Sequence, residues 1–309
     1  LRESFSADAT ARRSRREPPR NQLQNRPRTV KFNYIDTHVH FWDPGLYSYE
    51  WLKPLSAIQH RHCPPDLQTE TGPRFPEQIV FVECGAPALE EVQWIERLSS
   101  AEPRIAGIVA HCRMNAGTAT AAALAELGRR PLVRGVRHLL QDETDPAYCL
   151  SSEFVAGVQR LPAAGLSFDI CCYHHQLPFV IKLARSCPET AFVLDHLGKP
   201  DIRAGQIDPW RRHLAALSAL PNVDCKLSGL VTEADHQTWT AESLRPYVAH
   251  ALDVFGPTRL LFGSDWPVVK RASSYSHWID TVRHLVAHLP VAEQRAIFVD
   301  TARRVYRLG

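Results

Sequence analysis

No stretch of this 309-residue chain approaches the roughly 18 consecutive apolar residues of a membrane span. No Cys-x-x-Cys pair occurs among its eight cysteines (Cys63, Cys84, Cys112, Cys149, Cys171, Cys172, Cys187 and Cys225), and their spacing is irregular. That argues against a disulfide-built fold or a zinc knuckle and for reduced thiols packed as small hydrophobes in a cytoplasmic protein. No Gly-x-Gly-x-x-Gly follows any apolar run, which removes the usual mark of a dinucleotide-binding doubly wound sheet. An excess of positive charge is confined to the start of the chain. Residues 1–31 hold nine Lys/Arg against three acids, a net +6, so the overall +3 leaves −3 for the remainder. A mildly acidic body is a poor nucleic-acid binder.

What is present divides in two. Residues 1–31, rich in Arg, Pro, Asn and Gln, lack the apolar surface to offset ordering entropy, so a disordered basic extension is expected. Its acids and missing amphipathic period weaken a transit-peptide reading, and a non-native extension is favoured over a nucleic-acid tail. Residues 32–309, in a chain that is 44% hydrophobic, suffice for one large core.

Eight short apolar runs, at 34–40, 79–84, 105–112, 132–139, 166–173, 191–196, 222–228 and 259–265, read as buried strands. Between them come helical spacings such as Leu89, Val92, Ile95 and Leu98, or Phe179, Val180, Leu183 and Ala184. Eight strand–loop–helix units predict an α/β fold, a single-domain (β/α)8 TIM barrel. The first connection, 41–78, is unusually long and rich in aromatics and proline, and is expected to cover a site.

In such a barrel the site lies at the strand C-termini, and here almost every strand ends in an ionisable group. In order they are His38 and His40, Glu83, His111 and Arg113, Arg137 and His138, then Tyr173 to Gln176. Asp195 and His196, Lys226 and Ser228, and Asp265 complete the set. Unpaired charge after a buried aliphatic run is costly, so this placement points to function. His38 and His40, two apart on a strand, share a face and suit a metal or a proton. Structural readings stand beside these: Asp265 can cap a turn, His196 can be a satisfied core histidine, and Glu83, His111 and His138 can form ion pairs. At least one of His174 and His175 is expected to be structural. By alternation, Asp36 and Asp195 are expected to point away from the axis, behind the site.

Six stretches together resemble the amidohydrolase superfamily and, within it, the sugar-lactone hydrolase branch of fuconolactonases and rhamnonolactonases. Pyrone-dicarboxylate and sulfomuconolactone hydrolases are relatives of that branch. The stretches are Ile35-Asp36-Thr37-His38-Val39-His40-Phe41-Trp42-Asp43-Pro44, Gly135-Val136-Arg137-His138, Gln176-Leu177-Pro178, Asp195-His196-Leu197-Gly198-Lys199-Pro200, Cys225-Lys226-Leu227-Ser228-Gly229-Leu230 and Phe262-Gly263-Ser264-Asp265-Trp266-Pro267. Strand four offers Arg137 and His138 where binuclear members carry a bridging lysine or glutamate, so the resemblance implies one divalent ion, zinc first, or none. His38, His40 and Asp265 would hold it, with His196 as a further candidate.

Lactone hydrolysis needs a base, a positioned water and positive charge at the carbonyl oxygen. Asp265 is the expected base, with His196 and Arg137 as its catalytic companions. Trp42, Trp51, Arg137, Gln141, Tyr173 and Trp266 supply the mix of aromatic faces and polar groups suited to a hydroxyl-rich lactone. The expected partner is thus a small lactone, with neither nucleic acid nor membrane. The alternatives are a decarboxylase of the same superfamily acting on an aromatic or muconate-type acid, and a non-catalytic barrel-type binding protein.

Overall fold

The structure, a computed structural model, describes residues 33–309; the expectation of disorder for 1–31 falls outside the described residues. Eight parallel strands form one sheet in sequential order: β1 Ile35–Val39, β2 Gln78–Val82, β3 Ile105–His111, β4 Val133–Leu139, β5 Ser167–Cys171, β6 Phe192–Leu194, β7 Val223–Leu227 and β8 Leu260–Phe262. Each lies within one to three residues of its expected run. The strands are buried almost throughout because helices cover one face and barrel-filling side chains the other, so they read as continuous apolar runs.

The barrel closes between β8 and β1 through a short seam. The Asp265 N–H donates to the His38 carbonyl at 2.8 Å, and the His40 N–H donates to the Trp266 carbonyl at 2.7 Å. Thr37 Oγ1 adds a bond to the Phe262 carbonyl at 2.7 Å. Behind the seam Asp36 points outward, as expected. It accepts from the Ser264 N–H (2.8 Å) and from the Tyr275 hydroxyl (2.8 Å) on the helix Tyr275–Val286. Burial pushes its carboxyl up to about 6. Gly263 is required here, since a Cβ would lie 2.7 Å from that of His38.

The long connection is ordered. It carries α1, Pro64–Thr71, whose Glu70 accepts from the Trp266 indole at 2.9 Å and from the Tyr275 N–H at 3.2 Å. Trp42 pairs by backbone with His62, and its indole donates to the His60 carbonyl at 2.9 Å. After β2, α2 spans Ala88–Ala101 and buries Val92, Trp94 and Ile95 against the barrel. All eight cysteines are buried and free. Among the described residues no helix is long and apolar enough to cross a membrane.

Candidate active site

A cavity of about 500 Å³ opens at the C-terminal end of the barrel. Its floor is built from the seam. His40 and Asp265 are wall residues, and His40 Nε2 lies 3.4 Å from Asp265 Oδ1. His40 Nδ1 is 2.8 Å from the Val82 carbonyl, so it carries the proton and leaves Nε2 as a lone pair facing the carboxylate. His38 lies deeper, its Nε2 3.8 Å from Asp265 Oδ1, fully buried and without a hydrogen-bond partner. His196 completes the group. Its Nδ1 meets Ser228 Oγ at 2.8 Å, which directs the other ring nitrogen toward the cavity.

Backbone conformation makes this convergence. Strand alternation stops at Leu194, and His196 and Leu197 take left-handed φ angles of 55° and 53°. Asp195 and His196, adjacent in sequence, can therefore both face the interior. This corrects the expectation that Asp195 points away from the axis: alternation no longer applies once the strand has ended. Asp195 still stands behind His38, with Oδ1 3.3 Å from His38 Nδ1. Gly229, with φ +63°, leaves the room the His196 ring needs, since a Cβ there would lie 2.5 Å from Nδ1. Asp265 itself has φ 60°, a conformation Asp tolerates better than most residues.

Beneath the floor runs a buried ionic layer. The fully buried Lys226 ammonium sits 2.6 Å from Asp169, 2.9 Å from Asp195 and 3.2 Å from His38 Nδ1. Tyr306 OH donates to Asp169 at 2.7 Å. Arg137 joins the layer to the cavity wall: Nε donates to Glu83 at 2.7 Å, one Nη to the Glu83 carbonyl at 2.7 Å, the other to Asp195 at 3.3 Å. These contacts decide the charge states. Burial alone would raise Asp195, but Lys226 and then His38 hold it well below the usual carboxylate range. Asp265 is likewise held low against its burial, by the rings of His196, His40 and His38 around it. Burial lowers His196 to about 4 and His38 well below its ordinary value, so both rings are neutral near pH 7.

Of the expected substrate-binding residues, Trp51, Arg137, Gln141 and Tyr173 line the cavity. Trp42 and Trp266 differ from expectation. Both are wholly buried, with their indoles spent on His60 and Glu70, and they anchor the long connection instead of meeting the cavity. His174 and His175 do not line it either, and His174 is tied to the Lys199 carbonyl at 3.2 Å. Arg113 is bonded to Asn115 at 3.2 Å, and His138 to Glu143 at 3.1 Å.

Lys199 is a wall residue for which the sequence suggested no role. Its ammonium bonds Gln141 Oε1 at 2.5 Å, lies 3.7 Å from Glu233 and sits 5.2 Å over the Tyr173 ring. Its signal was present in Asp195-His196-Leu197-Gly198-Lys199-Pro200, but a left-handed φ of 46° hides where the side chain points. Glu233 and Arg271, on the short helical turns Leu230–Glu233 and Val268–Arg271 that follow β7 and β8, gave no signal at all.

The residues fit a divalent ion. The ligand atoms of His38, His196 and Asp265 lie within 4.8 Å of one another, and the unpartnered His38 Nε2 needs a counterpart. His40 meets the group through Asp265, so His196 belongs to the tightest cluster and His40 to its edge.

A family model described as amidohydrolase matches residues 35–308. The chain is 36% identical to an L-fucono-1,5-lactonase of Burkholderia multivorans over 288 residues, covering 89% of this chain and 96% of that protein. It is 31% identical to an L-fucono-1,5-lactonase of Burkholderia ambifaria, covering 89% and 95%. A crystal structure of a Burkholderia multivorans amidohydrolase with bound zinc superposes with a TM-score of 0.81 at 34% identity, covering 90% of this chain and all of that one.

Proposed function

The chain belongs to the amidohydrolase family, and from that premise we propose that it opens a sugar lactone by adding water to the ring carbonyl. The observation that carries the reading is a buried Asp265 carboxyl set among three imidazoles on the floor of a cavity walled by Arg137, Lys199 and aromatic faces. The two fucono-lactonases named above support the substrate class.

Asp265 is the proton acceptor. Its carboxylate takes a proton from water as the water oxygen bonds the carbonyl carbon, and the carbonyl electron pair moves onto oxygen. The Arg137 guanidinium, held rigid by Glu83 and Asp195, supplies fixed positive charge in the cavity wall for that oxygen. When the bond to the ring oxygen breaks, Asp265 returns the proton to the leaving alkoxide, which stays attached as a hydroxyl of the product acid. His196, oriented by Ser228, and His40, oriented by the Val82 carbonyl, position the water against Asp265. Gln141, Lys199 and Glu233 offer donors and acceptors for ring hydroxyls, and Trp51 and Tyr173 offer faces for its C–H groups.

His38, His196 and Asp265, with His40 beside them, would hold one divalent ion, zinc first. Bound there it would supply Lewis acidity to the water and to the lactone carbonyl.

The test is proton release in an indicator assay on a panel of 1,4- and 1,5-aldonolactones, before and after chelation and with zinc or manganese restored. Hydrolysis of one or a few lactones well above the spontaneous rate is expected. Silence across the panel, with carbon dioxide released from an aromatic acid instead, would replace this reading with decarboxylation.

A further inference from the structure

A second cavity, of about 600 Å³, opens at the same end of the barrel beside β2, β3 and β4. It shares Glu83, Gly85, Leu139 and Asp142 with the wall of the first. Gly85 lines both, is exposed and carries no side chain, and a Cβ there would meet only the Trp51 indole, at 3.9 Å. Either volume alone is within the range of about 300–1,000 Å³ that holds a whole small ligand. One small aldonolactone seated over Asp265 therefore leaves the second lobe unused.

The lining of that lobe defines what it would take. His138 and Glu83 are committed, to the Met114 N–H and Glu143 and to Arg137 respectively. His111 and Asp142 are not: among the described residues no hydrogen bond engages the His111 ring or the Asp142 carboxylate. A half-buried imidazole and a solvent-exposed carboxylate lining the same lobe offer a donor and acceptors for sugar hydroxyls. Ala86, Pro87 and Leu139 add apolar wall for a C–H face, while Glu83 and Asp142 disfavour an anionic group.

We infer that the second cavity is a subsite for a neutral sugar unit, so that the substrate is an aldonolactone carrying a glycosyl substituent. This rests on the lactonase reading above. The lactone ring lies over Asp265, its glycosidic oxygen crosses at Gly85, and the second sugar bonds His111 and Asp142.

The experiment compares purified enzyme on pairs of lactones, each a parent aldono-1,5-lactone and its hexosyl derivative, such as glucono- and lactobiono-1,5-lactone. It uses wild type, Ala88→Trp, which fills the lobe from the start of α2, and His111→Ala, which empties it of a donor without adding bulk. In at least one pair the glycosylated lactone should show a kcat/KM about tenfold or more above its parent, mainly through KM. Ala88→Trp should bring that pair to parity with the parent rate unchanged, and His111→Ala should raise KM for the glycosylated lactone alone. Parent lactones hydrolysed with no glycosylated partner preferred would overturn the inference and leave the lactonase reading standing, as would a preference that survives both variants. Failure of every parent and derivative would remove both.

Discussion

Two layers of charge lie one above the other in this barrel, and they behave in opposite ways. In the lower one, Asp169, Lys226, Asp195, Arg137 and Glu83 are all buried, and each is bonded to the next. In the upper one, His38 Nε2 has no hydrogen-bond partner, His40 presents a lone pair to Asp265, and Lys199 and Arg271 stand at a cavity open to solvent. Charges in the lower layer answer one another and fix geometry, with Arg137 and Glu83 at its edge also reaching the cavity wall. Those above keep an atom in reserve for something that arrives. Buried ion pairs seldom add net stability, since desolvation cancels most of the attraction. The lower layer is therefore best understood as the support that aims His38 and Asp195 at the floor of the site.

The sharpest way to break that contrast is to neutralise one group in each layer. Asp265→Asn should lower kcat by about 10²–10⁴-fold, the range for loss of a positioned base, while the denaturation midpoint barely moves. A variant keeping most of its turnover would end Asp265's role as base. Lys226→Met should do the reverse to stability, because it strands two buried carboxylates. A loss of about 3–5 kcal/mol in chemical denaturation is expected, partly recovered when Asp169→Asn is added. Equal stability of the single variant would mean the layer is not the support claimed for it.

Acid probes the long connection that covers the seam. Burial lowers His62 to about 4, against roughly 6.5 for an exposed histidine. The unfolded chain binds this proton first as pH falls, so the stability held above pH 6.5 drains away between 6.5 and 4. His62's own share of the loss should be roughly 2 kcal/mol between pH 7 and pH 5, and the drop should be smaller by that amount in His62→Phe. Denaturant midpoints at the two pH values measure it. The smallest effect belongs to the cavity rim. Trp51, 39% exposed, bonds the Cys84 carbonyl and faces the cavity. Trp51→Ala should raise KM several-fold, about 1 kcal/mol of binding, with kcat nearly intact. A fall in kcat alone would place Trp51 in the chemistry instead.

How far these layers were legible differs residue by residue. All eight strands could be read from apolar runs because both faces of a parallel strand are buried. His38, His40 and Asp265 could be read as one site because strands one and eight must meet when eight units close. Alternation failed at Asp195 because it presumes a strand, and β6 ends one residue earlier. Aromatic character alone could not separate Trp51, at the cavity, from Trp42 and Trp266, whose indoles are spent on the long connection.

Local pattern sufficed for the barrel, for its end of action and for most of the ionisable groups gathered there. All of these follow from short-range periodicity and from the cost of placing charge after a buried run. Three matters depended on contacts between residues far apart in the chain. One was which charges cancel, as Lys226 does with Asp169 and Asp195. Another was which imidazole nitrogen stays free, set by Ser228 for His196 and by the Val82 carbonyl for His40. The last was that Lys199 enters the cavity while Trp42 and Trp266 leave it. A side chain's partner across a barrel is chosen by closure and by left-handed turns, and neither is written in the periodicity of a single segment.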